Sequence, residues 1–151
     1  MCRLMNFSIK SFYELNTTEL YQILQLRSEV FVVEQDCVYQ DVDGKDQKSL
    51  HVFGYNENKI IAYTRLFKPG DYFKNASIGR VVIALKERNF GYGHDLMNFS
   101  IKAVKKHFKC DIITISAQKY LKKFYESHGF NQKEEGYLED CIPHIKMEKE
   151  L

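Results

Sequence analysis

The strongest constraint on the fold is a strand-like segment that leads through a glycine-containing turn into a long amphipathic helix. Residues 77–85 are rich in Ile and Val, which is typical of a central strand buried on both faces. Residues 93–108 carry apolar side chains along one broad side, and their lysines gather near the C-terminal end, where positive charge complements the helix dipole. This unit predicts a layered structure in which the helix packs on a sheet.

The rest of the chain alternates between strand-like and helix-like patterns. Asn16 and Glu19 resemble a capping box, which predicts the start of a helix whose apolar stripe runs to Val33. An acidic loop, residues 34–48, follows. Further strands are predicted at 7–12, 50–55, 60–67 and 111–116, a short helix at 119–127 ending at Gly129, and a final hairpin at 130–137 and 144–148. The strands at 50–55 and 60–67 are expected to form an antiparallel hairpin, and the whole order predicts a mixed α/β sheet with helices on both faces.

Size and charge restrict the class of protein. A chain of 151 residues that is 44% hydrophobic and 28% charged predicts one domain over residues 1–151, because two domains would each have a marginal core. The formal net charge of +2 argues against a dedicated nucleic-acid-binding protein, and no helix-turn-helix, zinc finger or basic arm is present. The lysine clusters at 102–109 and 119–123 are typical of solvated helix faces, or could neutralise a polyanionic cofactor.

The cysteines and the apolar runs indicate a compartment. Cys2, Cys37, Cys110 and Cys141 are scattered without a CxxC pair, which favours reduced thiols in a cytoplasmic protein. Residues 1–10 contain no continuous apolar run, and no later stretch is long enough to span a bilayer, so neither export nor membrane insertion is expected. No four-ligand zinc pattern is recognisable around Cys37, Cys141 and His144, so no metal is expected.

The segment RNFGYG, residues 88–93, has the composition and position of an anion-binding turn. It follows the strand at 77–85 and opens the long helix, where glycines allow backbone N–H groups to point at an anion and the helix dipole adds positive charge. An ordinary strand-to-helix turn would look the same on these six residues alone. The P-loop motif is absent, and the first glycine of a dinucleotide-binding fingerprint is missing.

The spacing of Arg88, Gly91 and Gly93 resembles the R/Q-x-x-G-x-G/A signature of the GNAT acetyltransferases. A second segment, FYESHGF at residues 124–130, resembles the FYExxGF segment of the same superfamily. Residues 26–44, 78–82 and 142–145 resemble its ElaA-like branch in particular. The resemblance therefore spans residues 20–147.

This resemblance implies the GNAT acyl-CoA N-acyltransferase fold, with a mostly antiparallel central sheet and helices on both faces. It also implies an N-acetyltransferase that moves the acetyl group of acetyl-CoA directly to a primary amine. The acceptor is expected to be a small-molecule or peptide amine, with protein N-termini, lysines, polyamines, aminosugars and antibiotics all open. A homodimer is common in the superfamily, and the resemblance extends that expectation to this chain.

The resemblance also assigns roles to residues. Tyr125 is expected to donate a proton to the departing thiolate, since such a leaving group needs a nearby acid. Gln118 stands where many relatives have an Asn that contacts the cofactor, and it can make similar amide hydrogen bonds. The residues expected to bind acetyl-CoA are Val81, Val82 and Ile83 beside the thioester, Arg88, Asn89, Phe90, Gly91, Tyr92, Gly93 and His94 at the pyrophosphate, and Gln118.

The general base is less clearly marked. Glu34, His51, Asp43 and His144 all lie in segments expected on the acceptor side, and Glu34 is favoured, with His51 next, because Glu34 joins the first helix to the acidic loop. Tyr39, Asp41, Asp43, Arg80 and His144 are the expected acceptor contacts. The loop aspartates could attract a cationic amine, whereas Arg65 and Arg80 could hold an acidic group or simply pair with those aspartates.

The main alternative is a catalytically idle acyl-CoA-binding domain that senses the cofactor or regulates a partner. Its glycine turn would look identical, but Tyr125 and the candidate bases favour an enzyme. A nucleic-acid-binding module using the lysine-rich helices is the third reading, and it lacks a recognisable motif.

Overall fold

The computed structural model describes residues 5–151, so residues 1–4, which include Cys2, lie outside the described part. The strands are β1 Phe7–Ser11, β2 Leu50–Asn56, β3 Lys59–Phe67, β4 Ser77–Ile83, β5 Ile112–Gln118, β6 Asn131–Gln132, β7 Tyr137–Glu139 and β8 Ile142–Glu150. The α-helices are α1 Thr17–Arg27, α2 Tyr92–Phe108 and α3 Lys122–Glu126. Short 3-10 turns precede α1, β2, α2 and α3.

The strands form two antiparallel sheets that touch at one point. The first sheet has the order β1-β2-β3-β4, and the second has β5 and β6 on either side of β8, with β7 also paired to β8. They meet in a parallel bridge between Ala76 and Ile113, where the Thr114 N–H donates to the Ala76 carbonyl at 2.8 Å. Beyond this bridge β4 and β5 are not paired within the described chain, so the sheets part and leave a cleft.

The helices cover opposite faces of the first sheet, as the sequence predicts. Side chains alternate across a strand, and on β3 Ala62 and Leu66 belong to the core that α2 covers, whereas Tyr63 belongs to the core beneath α1. The Thr64 hydroxyl also faces α2 and lies 2.8 Å from the Ser100 hydroxyl. The predicted hairpin of β2 and β3 is confirmed, with a tight turn at Glu57.

The strand that is buried on both faces is β3 and not β4, which corrects the prediction for residues 77–85. Every residue of β3 except Lys59 is buried, whereas four of the seven residues of β4 are only partly buried. The physical reason is the position of β4 in the sheet. Its outer edge faces the cleft instead of another strand, so its apolar residues line an opening.

The first helix begins as predicted but changes geometry before it ends. Asn16 caps it by accepting from the Glu19 N–H at 2.8 Å, and Glu19 accepts in return from the Asn16 N–H at 3.1 Å. From Ser28 to Glu34 the chain continues as a wider π-helix, which carries the apolar stripe to the edge of the cleft. Arg27, at the junction, has no exposed surface.

A buried ion cluster fixes the acidic loop to the sheet. Arg27 pairs with Asp41 at 2.8 Å and with Asp46 at 2.9 Å, and Arg65 of β3 pairs with Asp46 at 2.9 Å and with Asp43 at 2.8 Å. Burial alone would lower the pKa of Arg27, but the neighbouring Tyr63 and the two carboxylates raise it, so the guanidinium stays charged. The loop is therefore held in place by interior ion pairs.

Two further observations concern a membrane-spanning helix and a metal site, neither of which the sequence predicts. Within the described residues no helix is both long and apolar enough to cross a bilayer. In that same part of the chain no group of three or more His, Cys, Asp or Glu side chains is placed to hold a metal ion.

Replacing Arg27 by Met tests the ion cluster. We expect the free energy of unfolding to fall by about 3–5 kcal/mol, because Asp41 and Asp46 would stay buried without their cation. Urea denaturation measures the change. Lys106→Met, at an exposed position on α2, is the control and should change the free energy of unfolding by less than about 0.5 kcal/mol. Equal effects of the two substitutions would contradict a stabilising role for the cluster.

Candidate active site

The cleft between β4 and β5 opens into a cavity of about 580 Å³. Its walls come from β4, the start of α2, the end of β5, α3, the π-helical segment and the β7–β8 hairpin. The predicted site residues that line it are Glu34, Tyr39, Arg80, Val81, Val82, Ile83, Arg88, Asn89, Gly91, Tyr92, Gly93, His94, Gln118, Tyr125 and His144. Residues that lie more than a hundred positions apart in the chain are thus brought to one site.

The free edge of β4 presents backbone polar groups to the cavity. The Ala84 N–H donates to the Ile61 carbonyl on the β3 side at 2.8 Å. Because successive residues of a strand direct their polar groups to opposite edges, the Ile83 N–H and carbonyl point toward the cleft. The Ile83 carbonyl accepts from Arg88 Nε at 3.0 Å, which leaves its N–H available to a ligand.

A bulge bends β4 just before this edge. Tyr63 pairs with Val82, but Arg65 pairs with Gly79, so β4 has one residue more than β3 between these pairs. Arg80 takes up the extra length with a φ of 51°. The bend turns the end of β4 away from β5 and aims the Arg80 side chain at the wall of the cavity.

The start of α2 supplies unpaired amides at the other end of the cavity. Gly91 precedes the helix with a φ of 79°, and its carbonyl accepts the first helical bond, from the Asp95 N–H at 3.2 Å. The N–H groups of Tyr92, Gly93 and His94 therefore have no acceptor within the helix. These free donors and the positive end of the helix dipole suit an anion, the kind of ligand that the RNFGYG segment predicts. Phe90 lies outside the cavity lining and is 59% exposed, so its predicted cofactor contact has no support in the structure.

Tyr125 lies on α3, which follows β5 of the second sheet, and its side chain lines the cavity. It is 5% exposed and makes edge-on ring contacts with Phe124 and Phe130, at centroid distances of 5.1 Å and 6.0 Å. Burial raises the pKa of Tyr125, so its hydroxyl keeps its proton at neutral pH. Gly129, with a φ of 88°, ends the helical segment where the sequence predicts.

Glu34 lines the cavity but is committed to another partner. Both of its carboxylate oxygens accept from the Arg88 guanidinium, at 2.8 Å and 3.0 Å. A bidentate pair of this kind fixes both carboxylate oxygens on the guanidinium, which competes with any proton that they would take from an amine. The structure therefore does not favour Glu34 as the base, and it explains Arg88 as a residue that links the π-helix to β4.

His51 is placed away from the cavity, which corrects its prediction as a catalytic residue. It has no exposed surface, and its ring contacts the Tyr63 hydroxyl at 2.7 Å and the Asp46 carbonyl at 2.9 Å. Burial lowers the pKa of His51, so it is neutral and structural in the core. A substrate in the cavity cannot reach it.

The loop aspartates also have a structural role that the sequence leaves open. Asp41 is ion-paired to Arg80 at 2.7 Å as well as to Arg27, and Asp43 is ion-paired to Arg65. Neither aspartate lines the cavity, so their predicted contact with the acceptor is not supported. Of the two roles open for Arg65 and Arg80, the structure shows pairing with the aspartates. Tyr39 lines the cavity and donates to Asp41 at 3.2 Å, with Arg80 packed over its ring.

Gln118 spans the cleft instead of facing it freely. Its amide exchanges hydrogen bonds with the amide of Gln35 at 3.2 Å and 3.3 Å, which joins the end of β5 to the end of the π-helix. Gln35 is a site residue that the sequence gives no reason to select. A cofactor contact by Gln118 would have to replace one of these two bonds.

The β7–β8 hairpin brings a polar group that the sequence analysis missed. His144 faces the cavity as predicted, but Glu139 and Ser116 stand beside it. The turn between β7 and β8 has positive φ at Asp140 and Cys141, at 48° and 64°, and the Cys37 thiol donates to the Asp140 carbonyl at 2.9 Å. No spacing rule in the sequence reveals that this turn docks on the acidic loop.

Comparisons with known proteins agree with this geometry. The acetyltransferase (GNAT) domain family matches residues 15–151. Protein ElaA of Escherichia coli is 39% identical over 140 residues, which cover 91% of this chain and 92% of that protein, and its crystal structure superposes with a TM-score of 0.90. A crystal structure of an acyl-CoA N-acyltransferase from Pseudomonas aeruginosa is 39% identical with a TM-score of 0.88, covering 95% of this chain and 99% of that one. A UPF0039 protein of Schizosaccharomyces pombe is 41% identical over 149 residues, covering 97% of this chain and 98% of that protein.

The two glycines of the turn should respond differently to substitution by Ala. Gly91 has a φ of 79°, so Gly91→Ala should lower the free energy of unfolding by about 1 kcal/mol, although its new methyl group would meet nothing within 4 Å. Gly93 has no such backbone constraint, and its methyl group would touch Phe124 at 3.6 Å, an ordinary contact. Gly93→Ala should therefore leave the unfolding midpoint in urea almost unchanged. A larger loss for Gly93→Ala than for Gly91→Ala would contradict this geometry.

Proposed function

This chain belongs to the GNAT acetyltransferase family, and from that premise we propose that it transfers the acetyl group of acetyl-CoA to a primary amine. The observation that carries the proposal is the parting of β4 from β5 directly in front of the α2 N-terminus, with Tyr125 facing the same cavity. A free strand edge, an anion site and a protonated phenol in one cavity suit a long thioester that carries a diphosphate.

The residues present fit acetyl-CoA, which supplies an acetyl group activated as a thioester. The unpaired amides of Tyr92, Gly93 and His94 would hold the diphosphate, because they combine free N–H donors with the positive end of the helix dipole. The Ile83 N–H, and that of Val81 on the same edge, would hold carbonyl oxygens along the pantetheine arm. Hydrogen bonds that are fixed before the ligand arrives also stabilise charge that develops during the reaction.

Tyr125 would donate a hydrogen bond and then its proton to the departing sulfur. Its raised pKa means that it enters the reaction protonated, as an acid must. The dry surroundings of the ring strengthen its attraction to a developing negative charge. In this proposal the amine attacks the thioester carbonyl directly, without a covalent enzyme intermediate. The protein contributes orientation and charge stabilisation.

The acceptor would enter from the side formed by the acidic loop and the β7–β8 hairpin. The opposite end of the cavity is formed by the α2 N-terminus, which the diphosphate would occupy. Tyr39, Arg80 and His144 line the acceptor side. Because the ion cluster neutralises Asp41 and Asp43, the loop contributes shape to this side and little net charge.

Substituting Tyr125 by Phe tests the proposed acid. We expect kcat with acetyl-CoA and an amine panel to fall by about 100-fold, while calorimetry shows unchanged affinity for coenzyme A, because the phenol acts on the leaving group. Tyr13→Phe is the matched control, since Tyr13 is 82% exposed and does not line the cavity, and it should change neither quantity.

Three outcomes would count against the proposal in different ways. No heat of binding between the folded protein and coenzyme A would remove the cofactor site. Binding without turnover of any amine would favour an acyl-CoA sensor. Full activity of Tyr125→Phe at every pH would leave the transferase intact and remove Tyr125 as its acid.

A further inference from the structure

A histidine and a carboxylate face each other on the acceptor side of the cavity without a hydrogen bond between them. His144 of β8 and Glu139 of β7 both line the cavity, and His144 Nε2 lies 3.5 Å from Glu139 Oε2. His144 is 9% exposed, whereas the Glu139 side chain is 39% exposed. We call these two residues the amine pair.

The hydrogen bond at the other ring nitrogen fixes the tautomer of His144. Nδ1 lies 2.7 Å from the Ile142 carbonyl oxygen, which can only accept. Nδ1 therefore carries the proton, and in the neutral ring Nε2 holds a lone pair directed toward Glu139. Two acceptors then stand 3.5 Å apart, a gap that a donor with several N–H groups can bridge.

A chain of hydroxyl groups holds the Glu139 carboxylate in place. Ser116 Oγ donates to Glu139 Oε2 at 2.9 Å. Since Ser116 has a single proton to give, the Tyr137 hydroxyl donates to Ser116 in turn. The ring of Tyr137 also stacks on His144 at a centroid distance of 6.2 Å. Ser116 and Tyr137 are therefore positioning residues for the amine pair.

Three of the other acids near the acceptor side are already paired with arginines. Glu34 binds Arg88 through both oxygens, and Asp41 and Asp43 lie in the ion cluster outside the cavity. Glu139 has instead Ser116 and His144 as its contacts, and no arginine. Tyr72, Ser116 and Glu139 also line an adjoining hollow of about 470 Å³, which gives room for the body of an acceptor held at Glu139.

We propose that the amine pair binds the acceptor as an ammonium ion, with Glu139 as its counter-charge and His144 Nε2 as the general base. This inference rests on the proposed transferase function and adds the residues that receive the amine. The ammonium gives one proton to Nε2, and the nitrogen lone pair so freed forms the bond to the acetyl carbon. The C–S bond breaks with its electron pair on sulfur, which takes the Tyr125 proton, and the second proton of the amine restores Tyr125. His144 releases its proton to water, so the sum is ammonium plus acetyl thioester giving amide, thiol and one proton.

Two probe amines separate a base from a merely structural histidine. n-Butylamine is a cation at pH 7, whereas 2,2,2-trifluoroethylamine is largely neutral there. His144→Asn retains an N–H donor for the Ile142 carbonyl but has no basic nitrogen. We expect it to lower kcat/KM for n-butylamine by about 100-fold and for trifluoroethylamine by less than about fivefold, with the dissociation constant of coenzyme A unchanged.

Two further variants complete the kinetic experiment. Glu139→Gln should raise KM for n-butylamine about tenfold and leave KM for trifluoroethylamine nearly unchanged, because only the cation needs a counter-charge. His107→Asn, at an exposed position on α2, is the matched control and should match the wild type with both amines. Equal losses with the two amines in His144→Asn would overturn the proposal while leaving the transferase intact.

The pH dependence provides a second readout. The loss caused by His144→Asn should shrink as the pH approaches the pKa of n-butylamine, because the free amine then needs no base. The titratable groups that face the imidazole are Glu139 and Tyr137, both on β7. The variants Glu139→Gln and Tyr137→Phe therefore show whether one of these groups, and not His144, produces the pH dependence. A loss that stays constant with pH would count against His144 as the base.

Nitrogen-15 NMR of the histidine rings tests the tautomer without any turnover. We expect the neutral His144 ring to be protonated at Nδ1, and n-butylamine to shift the Nε2 resonance in the wild type but not in Glu139→Gln. A neutral ring protonated at Nε2 would overturn the proposal. If the wild type binds coenzyme A but acetylates no member of the amine panel, the proposed function fails, and the NMR result still decides whether the amine pair exists.

Discussion

The structure depends on a backbone pairing that stops early. β4 and β5 are joined at Ala76 and Ile113 and then part, so the N–H groups at the edge of β4 face a cavity instead of another strand. An unpaired strand edge is normally a liability, because it invites pairing with another chain. Here the edge is enclosed by α2, α3 and the β7–β8 hairpin, so that its hydrogen-bonding groups are available to a ligand that enters the cavity.

The two ends of the cavity are built from different kinds of interaction. At the α2 end the interactions come from the backbone, since Gly91 forms the turn and the first N–H groups of the helix remain free. At the acceptor end side chains dominate. The ion cluster of Arg27, Arg65, Arg80 and the loop aspartates holds one wall, and the hydrogen-bonded group around Glu139 and His144 forms the other.

The same pairs that stabilise the walls also decide which groups stay reactive. Arg88 engages Glu34, and the ion cluster engages the loop aspartates, so these carboxylates act as structural anions. His51 is neutral and buried against Tyr63. His144, with Glu139 beside it, faces the cavity, and so does the protonated phenol of Tyr125. A site for acid and base chemistry needs one group that can accept a proton and one that can donate it.

The sequence by itself determined the order of strands and helices, the Asn16 cap and the glycine turn before α2, because local spacing and backbone requirements dictate each of them. The resemblance to the GNAT acetyltransferases, and not a local pattern, pointed to Tyr125, which lines the cavity. The sequence could not tell that β3 and not β4 is the strand buried on both faces, since both segments are rich in apolar residues. Only the tertiary structure decided that His51 is a core residue, that Arg27 neutralises the acidic loop, and that Glu139 stands beside His144. The contacts of His51 with Asp46, of Arg27 with Asp41 and Asp46, and of Glu139 with His144 join residues 5 to 19 positions apart. Which charged groups become neighbours depends on the tertiary fold, a property that no local pattern encodes.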